Sequence, residues 1–305
     1  MRGLWIWTIF GWAAGCFAAA NSLPSLPEAG PVTESHQIRL TAFVSPPSTA
    51  IGLILKARVD GGPLLRLLLD SGAEHLVLDR RSARKSGLQA GSELDLVGAG
   101  APPKAARMTA ARLVEIGEVR LRDCPVIVTD GQVLGGVDGV IPLSLFSGYL
   151  VRLDVPGRVL ELQPYPDLQP AADPAFVRAR AQHNLLFLET RLADTHKGYL
   201  LLDTGSSYNV ISDATAAVLG QARSLAQHVS LVAGPGAAEG RLLPCRVPFR
   251  LGDRALALDP VVAVDLQEMS RRHGIDVSGV IGYPALAGSV VTVNYRESLV
   301  RIQAK

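Results

Sequence analysis

Residues 199–210 read YLLLDTGSSYNV, and residues 66–78 read RLLLDSGAEHLVL. In each, an apolar run with strand-forming character passes directly into Asp-Thr-Gly (203–205) or Asp-Ser-Gly (70–72), and another apolar strand follows. A buried run normally ends in a turn that hands its polar residues to solvent. An aspartate at the end of such a strand is costly unless donors satisfy it. The glycine two residues on lets backbone N–H groups approach the carboxylate, and the small hydroxyl residue between them can lock the loop by a hydrogen bond. One copy is a weak signal; two copies raise the question of what the pair is for.

The two stretches belong to a longer repeat. Asp203 follows Asp70 by 133 positions, and the same spacing separates the helix-capping residues Asp79 and Ser212 and the stop glycines Gly87 and Gly220. A cap, a short run such as RRSARKS or DATAAVL, and a glycine predict a two-turn helix in each copy. Farther on, LVGAG (96–100) answers LVAGPG (231–236), and EIGEVRLRDCP (115–125) answers RLGDRALALDP (250–260), now at an offset of 135. VDGVIPLSLF (137–146) then answers VSGVIGYPAL (277–286) at 140, so the second copy carries a five-residue insertion around QEMSRRHGIDV. Order and spacing kept across five blocks imply an internal duplication of about 120 residues, built mostly of short strands.

If the halves pack about a pseudo-twofold axis, the two loops meet and Asp70 faces Asp203. Two carboxylates in contact cannot both ionise, so they share one proton and titrate as a pair. One member then takes a proton from a trapped water while the other gives one to a carbonyl oxygen. That chemistry hydrolyses peptide bonds with neither a metal nor a covalent intermediate.

On these residues the chain resembles the aspartic proteases, in particular bacterial retropepsin-like enzymes with two fused lobes, over roughly residues 50–303. The motifs are Asp70-Ser71-Gly72-Ala73, Asp203-Thr204-Gly205-Ser206, and the downstream Gly139-Val140-Ile141 and Gly279-Val280-Ile281-Gly282. The resemblance implies an all-β fold of two homologous acid-protease lobes related by pseudo-twofold symmetry, each with a short helix. It implies Asp70 and Asp203 as the catalytic pair, Ser71 and Thr204 as the loop lock, Gly72, Gly205 and Ser206 as backbone donors, and an apolar-apolar-Gly strand threading behind each Asp loop. It also implies flaps over the substrate, for which the segments 97–108 (Gly98, Gly100) and 232–241 (Gly234, Gly236) stand in the right places. Two departures stand out: Pro142 replaces the first threading glycine, and Ala73 lacks the hydroxyl that Ser206 has. From the second we expect Ser206 to donate to Asp203 and favour its charged form, with Asp70 as the protonated partner and the useful pH moved upward.

Composition bounds the alternatives. With 48% hydrophobic and 19% charged residues and a net charge of +2 without long basic runs, nothing points to nucleic acid. There is no CxxC or HExxH among the three cysteines and six scattered histidines, so no metal or other cofactor is expected. No GxSxG occurs, and the glycine-rich GAGAPPK and GPGAAEG lack the Lys-Ser/Thr ending of a phosphate loop. The expected partner is a polypeptide substrate, with one chain sufficient because it carries both carboxylates. The competing function is a non-hydrolytic peptide-binding module of the same fold in the cell envelope.

The first 20 residues form a signal peptide: Met1-Arg2, an apolar stretch from Leu4 to Gly15, and Ala18-Ala19-Ala20. An exported, periplasmic protein follows from it. Ala13-Ala14-Gly15-Cys16 also resembles a lipoprotein box, so membrane attachment is expected only if Cys16 is lipidated. Residues 21–49 read as a Pro/Ser-rich lead, 50–164 as the first lobe, 165–184 as a Pro-rich linker and 185–305 as the second lobe. In an oxidising compartment Cys124 and Cys245 are open to either a disulfide or two separate thiols.

Overall fold

The computed structural model describes residues 9–10, 33–45, 49–89, 91–96, 104–131, 133, 135–166, 173–221, 227–233, 236–252 and 254–305. Most of it is strand. The first lobe is an eight-stranded sheet in the order Thr41–Ser45, Thr49–Val59, Leu64–Asp70, Gly139–Pro142, Leu76–Asp79, Val119–Thr129, Lys104–Ile116, Ser92–Leu96. The second lobe repeats this arrangement within a larger sheet that also holds the strands joining the two halves.

Each Asp-bearing strand is flanked by the strand that threads beside it. Gly139–Pro142 runs parallel to Leu64–Asp70, with Pro142 beside Asp70, and antiparallel to Leu76–Asp79. Val277–Ile281 runs parallel to His196–Leu202 and antiparallel to Asn209–Ser212. These strands read Leu-Leu-Leu, Val-Ile and Val-Ile because both of their faces are covered: Leu67, Leu68, Leu69, Leu200, Leu202, Val140 and Ile281 have no exposed surface. Burying such a side chain is worth about 1.5–3 kcal/mol. The polar Asp loops are thereby anchored to the most apolar part of the molecule.

The short helices follow the caps. Arg80–Lys85 begins where the Asp79 carboxylate accepts the Ser82 N–H at 2.6 Å, and Asp213–Val218 where the Ser212 hydroxyl accepts the Thr215 N–H at 3.0 Å. Gly87 and Gly220 follow at φ +71° and +68°, a conformation that costs a residue with a Cβ. The inserted residues of the second copy form a further helix, Gln267–His273, closed by Gly274 in the left-handed conformation.

The lobes are joined by a shared sheet in which Leu150–Asp154 pairs antiparallel with Ser289–Asn294. Arg152 lies opposite Thr292, which stands 140 positions later and holds Arg152's place in the second copy. A residue that pairs with its own counterpart marks a pseudo-twofold axis, which passes between these two.

Two sequence boundaries shift. Part of the expected lead is sheet: His36–Arg39 pairs with Val159–Gln163, and Thr41–Ser45 with Thr49–Val59. Part of the expected linker is also strand, since Val177–Gln182 pairs with both Leu185–Leu192 and Leu299–Ala304. Its Val-Arg-Ala-Arg-Ala alternation was masked by the prolines before it. Residues 1–8 and 11–20, Cys16 included, lie outside the described residues. Among the described residues no helix is long and apolar enough to cross a membrane.

Candidate active site

Asp70 and Asp203 end their strands fully buried, at 0% and 1% exposure. Asp70 Oδ1 accepts the Gly72 N–H at 2.7 Å; Asp203 Oδ1 accepts those of Gly205 and Ser206, each at 2.9 Å. The loops meet across the pseudo-axis. A Cβ on Gly72 would stand 2.5 Å from Cγ of Asp203, and one on Gly205 would stand 2.6 Å from Oδ2 of Asp70. Each glycine is thus needed by the other lobe's carboxylate, since any side chain would push the pair apart.

Ser71 and Thr204 hold the loops together reciprocally. The Ser71 N–H donates to Thr204 Oγ1 (3.1 Å) and the Thr204 N–H to Ser71 Oγ (3.0 Å). Each hydroxyl then donates to the strand before the opposite aspartate, Ser71 to the Leu202 carbonyl and Thr204 to that of Leu69, both at 2.9 Å. Both N–H donors and both hydroxyls are satisfied, and because Ser71 and Thr204 are buried, an unmade bond there would be costly.

The pair's electrostatics follow from this burial. Desolvation, and then the Asp70 carboxyl hydrogen-bonded beside it, push Asp203 well above the usual carboxylate range, against the pull of the Gly205 and Ser206 N–H groups. A buried pair in this state keeps one proton between its members at pH values where exposed carboxylates are ionised.

One sequence expectation is corrected. The Ser206 hydroxyl does not donate to Asp203; it donates to the Tyr208 carbonyl at 2.7 Å, and only the backbone N–H of Ser206 serves the carboxylate. The shift at Asp203 is upward, with burial as its first cause, so the Ser206–Ala73 difference does not assign the charge to Asp203.

Pro142 finds its explanation in its neighbour. In the second lobe the Gly282 N–H donates to Asn209 Oδ1 at 3.0 Å, and Asn209 Nδ2 reaches the Pro260 carbonyl at 3.1 Å. In the first lobe Leu76 holds the place of Asn209, and Pro142, which has no N–H, holds that of Gly282. The acceptor and its donor are absent together.

The flap segments are hairpins at their bases: Ser92–Leu96 with Lys104–Ile116, and Gln227–Ala233 with Gly236–Leu243. Gly236 pairs with Ala233, whereas Gly98, Gly100 and Gly234 lie outside the described residues. Cys124 is buried and Cys245 half-buried, both as free thiols. Burial pushes the Cys124 thiol up to about 12.

Beside the first Asp loop stands a group that motif reading missed. Glu74 has no exposed surface and receives the Arg272 guanidinium on both carboxylate oxygens, at 3.0 and 3.1 Å. Arg272 comes from the inserted helix of the second lobe, so this ion pair crosses between lobes. Burial nevertheless pushes Glu74 up to about 8. The one sequence signal was a glutamate four residues after Asp70, between Ala73 and His75.

Comparison with known proteins agrees with this geometry. Residues 55–145, which contain Asp70-Ser71-Gly72 and the threading Gly139-Val140-Ile141, match the aspartyl protease family model. The aspartic proteinase from Irpex lacteus has a similar structure, with a TM-score of 0.59 at 11% identity, covering 89% of this chain and 98% of that one. No curated protein matches the sequence. The fold is that of a pepsin-like aspartic proteinase, all-β, with two lobes that each supply one aspartate loop.

Proposed function

We propose that the chain is an exported aspartic endopeptidase in which Asp70 and Asp203 activate a water between them. The observation that carries this reading is the mutual seating of the loops: each glycine packs on the other lobe's carboxylate, and burial beside Asp70 pushes Asp203 well above the usual carboxylate range. With one aspartate ionised and one protonated, the ionised member removes a proton from water as its oxygen bonds to the peptide carbon. The protonated member gives its proton to the carbonyl oxygen. The resulting gem-diol collapses as the C–N bond breaks; the amine leaves with a proton from the pair, and the carboxylic acid product forms. No step needs a metal or a covalent enzyme intermediate.

Both aspartates come from one chain, so a single copy suffices. The substrate is a polypeptide, and the two hairpins are the lids expected to close over it. Export rests on residues 1–20, with lipidation at Cys16 as the alternative to cleavage after Ala20.

The test is a cleavage assay of the mature chain from Asn21 on a diverse peptide mixture between pH 4 and 7.5, read by mass spectrometry beside Asp203→Asn. Cuts present in wild type and absent in the variant support the reading. Equal silence of both, with the fold intact, overturns it in favour of a peptide-binding module.

A further inference from the structure

Three side chains far apart in sequence converge beside the first Asp loop. Glu74 follows that loop; His183 sits at the tip of the hairpin between Val177–Gln182 and Leu185–Leu192; His273 ends the inserted helix. One ligand atom from each lies within 4.8 Å of the others. His183 Nδ1 is 3.4 Å from His273 Nδ1 and 4.0 Å from Glu74 Oε1.

We propose that Glu74, His183 and His273 form a binding site for a divalent transition-metal cation of the zinc class, which would staple the first Asp loop to the second lobe. The donor set is two imidazoles and a carboxylate, which zinc takes readily. The 3.4 Å between the Nδ1 atoms matches the edge of a tetrahedron with metal–nitrogen bonds of about 2.0–2.1 Å, roughly 3.3–3.4 Å. Without a cation these two nitrogens face each other and share at most one hydrogen bond.

The surroundings fit a partly enclosed site. Glu74 and His273 are buried, while the His183 side chain is about half exposed (52%) and provides the entry face, where a water would complete four-coordination. Arg272 holds both Glu74 oxygens, so a shift of Oε1 toward the nitrogens would leave Oε2 on the guanidinium, an outer contact that orients a ligating carboxylate. Asn184 Nδ2, at 3.3 Å from the Glu74 carbonyl, ties the hairpin tip to the same loop. Such a staple would act on structure, and its detection needs no peptidase activity.

The test uses the mature chain, stripped with a chelator and titrated with ZnCl2 by calorimetry, and separately with Co²⁺ by visible absorbance. Uptake of one equivalent, tetrahedral cobalt bands and a raised Tm with zinc are expected. His183→Asn, which suits the positive φ of +48° at that turn, should keep the fold and weaken zinc at least tenfold. Asp203→Asn should bind zinc as wild type does. No stoichiometric uptake, undiminished affinity in His183→Asn, or loss of uptake in Asp203→Asn, which would move the metal to the aspartate pair, overturns the proposal.

Discussion

Asn209 accepts the backbone N–H of Gly282, and neither partner has a counterpart in the other lobe, where Leu76 and Pro142 stand instead. The two copies therefore reach the same strand geometry by different means, one with a buried polar pair and one with an apolar pair that asks for no bond. Asn209→Leu should leave a buried N–H unpaired and destabilise the chain by about 1–3 kcal/mol in urea unfolding. Adding Gly282→Pro should not restore it, because a Cβ there overlaps the Tyr208 carbonyl oxygen. Full recovery in the double variant would show that the first lobe's solution transfers, contrary to this packing.

The loop lock should be separable from the aspartates. Thr204→Ala removes the acceptor of the Ser71 N–H and the donor to the Leu69 carbonyl, and a loss of about 2 kcal/mol is expected from two broken buried bonds. Thr204→Ser keeps the hydroxyl and should recover most of it. Thermal unfolding of the three proteins side by side decides this.

Gly205→Ala should cost activity before it costs the fold. The new methyl meets the Asp70 carboxylate and shifts the pair, and misplacement of about 1 Å at a reacting centre costs about a hundredfold in rate. The measurement is kcat/KM beside circular dichroism; near-wild-type kcat/KM would show that the loops are not held as closely as the structure places them.

The raised pKa of Asp203 sets a sign for stability against pH. In the unfolded chain this group ionises near pH 4, whereas in the folded protein it stays protonated to a higher pH. Between those values the folded state binds more protons, so stability falls as pH rises, by up to about 1.4 kcal/mol per unit for one group. Glu74, pushed up to about 8, adds a slope of the same sign, so the Asp203 share is the difference between wild type and Asp203→Asn. Denaturant unfolding at pH 4.5, 5.5 and 6.5 should show a shallower fall in the variant. The same proton sets activity, which should decline as pH rises through the raised value.

Ser206→Ala should leave the pH–rate profile unchanged, since its hydroxyl serves the Tyr208 carbonyl rather than Asp203. A displaced profile would return that hydroxyl to the aspartate.

Much of this molecule was legible in the chain because its information is local or periodic. The duplication, the Asp-Ser/Thr-Gly loops, the Asp79 and Ser212 caps and the threading Val-Ile strands are contiguous patterns, and backbone geometry ties each to one short structure. The strand Val177–Gln182 was missed where prolines a few residues earlier obscured its alternation. What only the tertiary structure decided involves partners far apart in sequence. It chose Tyr208 over Asp203 for the Ser206 hydroxyl, paired Asn209 with the Gly282 N–H, brought Arg272 to Glu74 across 198 positions, and set His183 against His273. Residue types announce that a buried glutamate needs a cation, but not which one. That choice is made by the pseudo-twofold packing, which sets a helix unique to the second copy against a loop of the first.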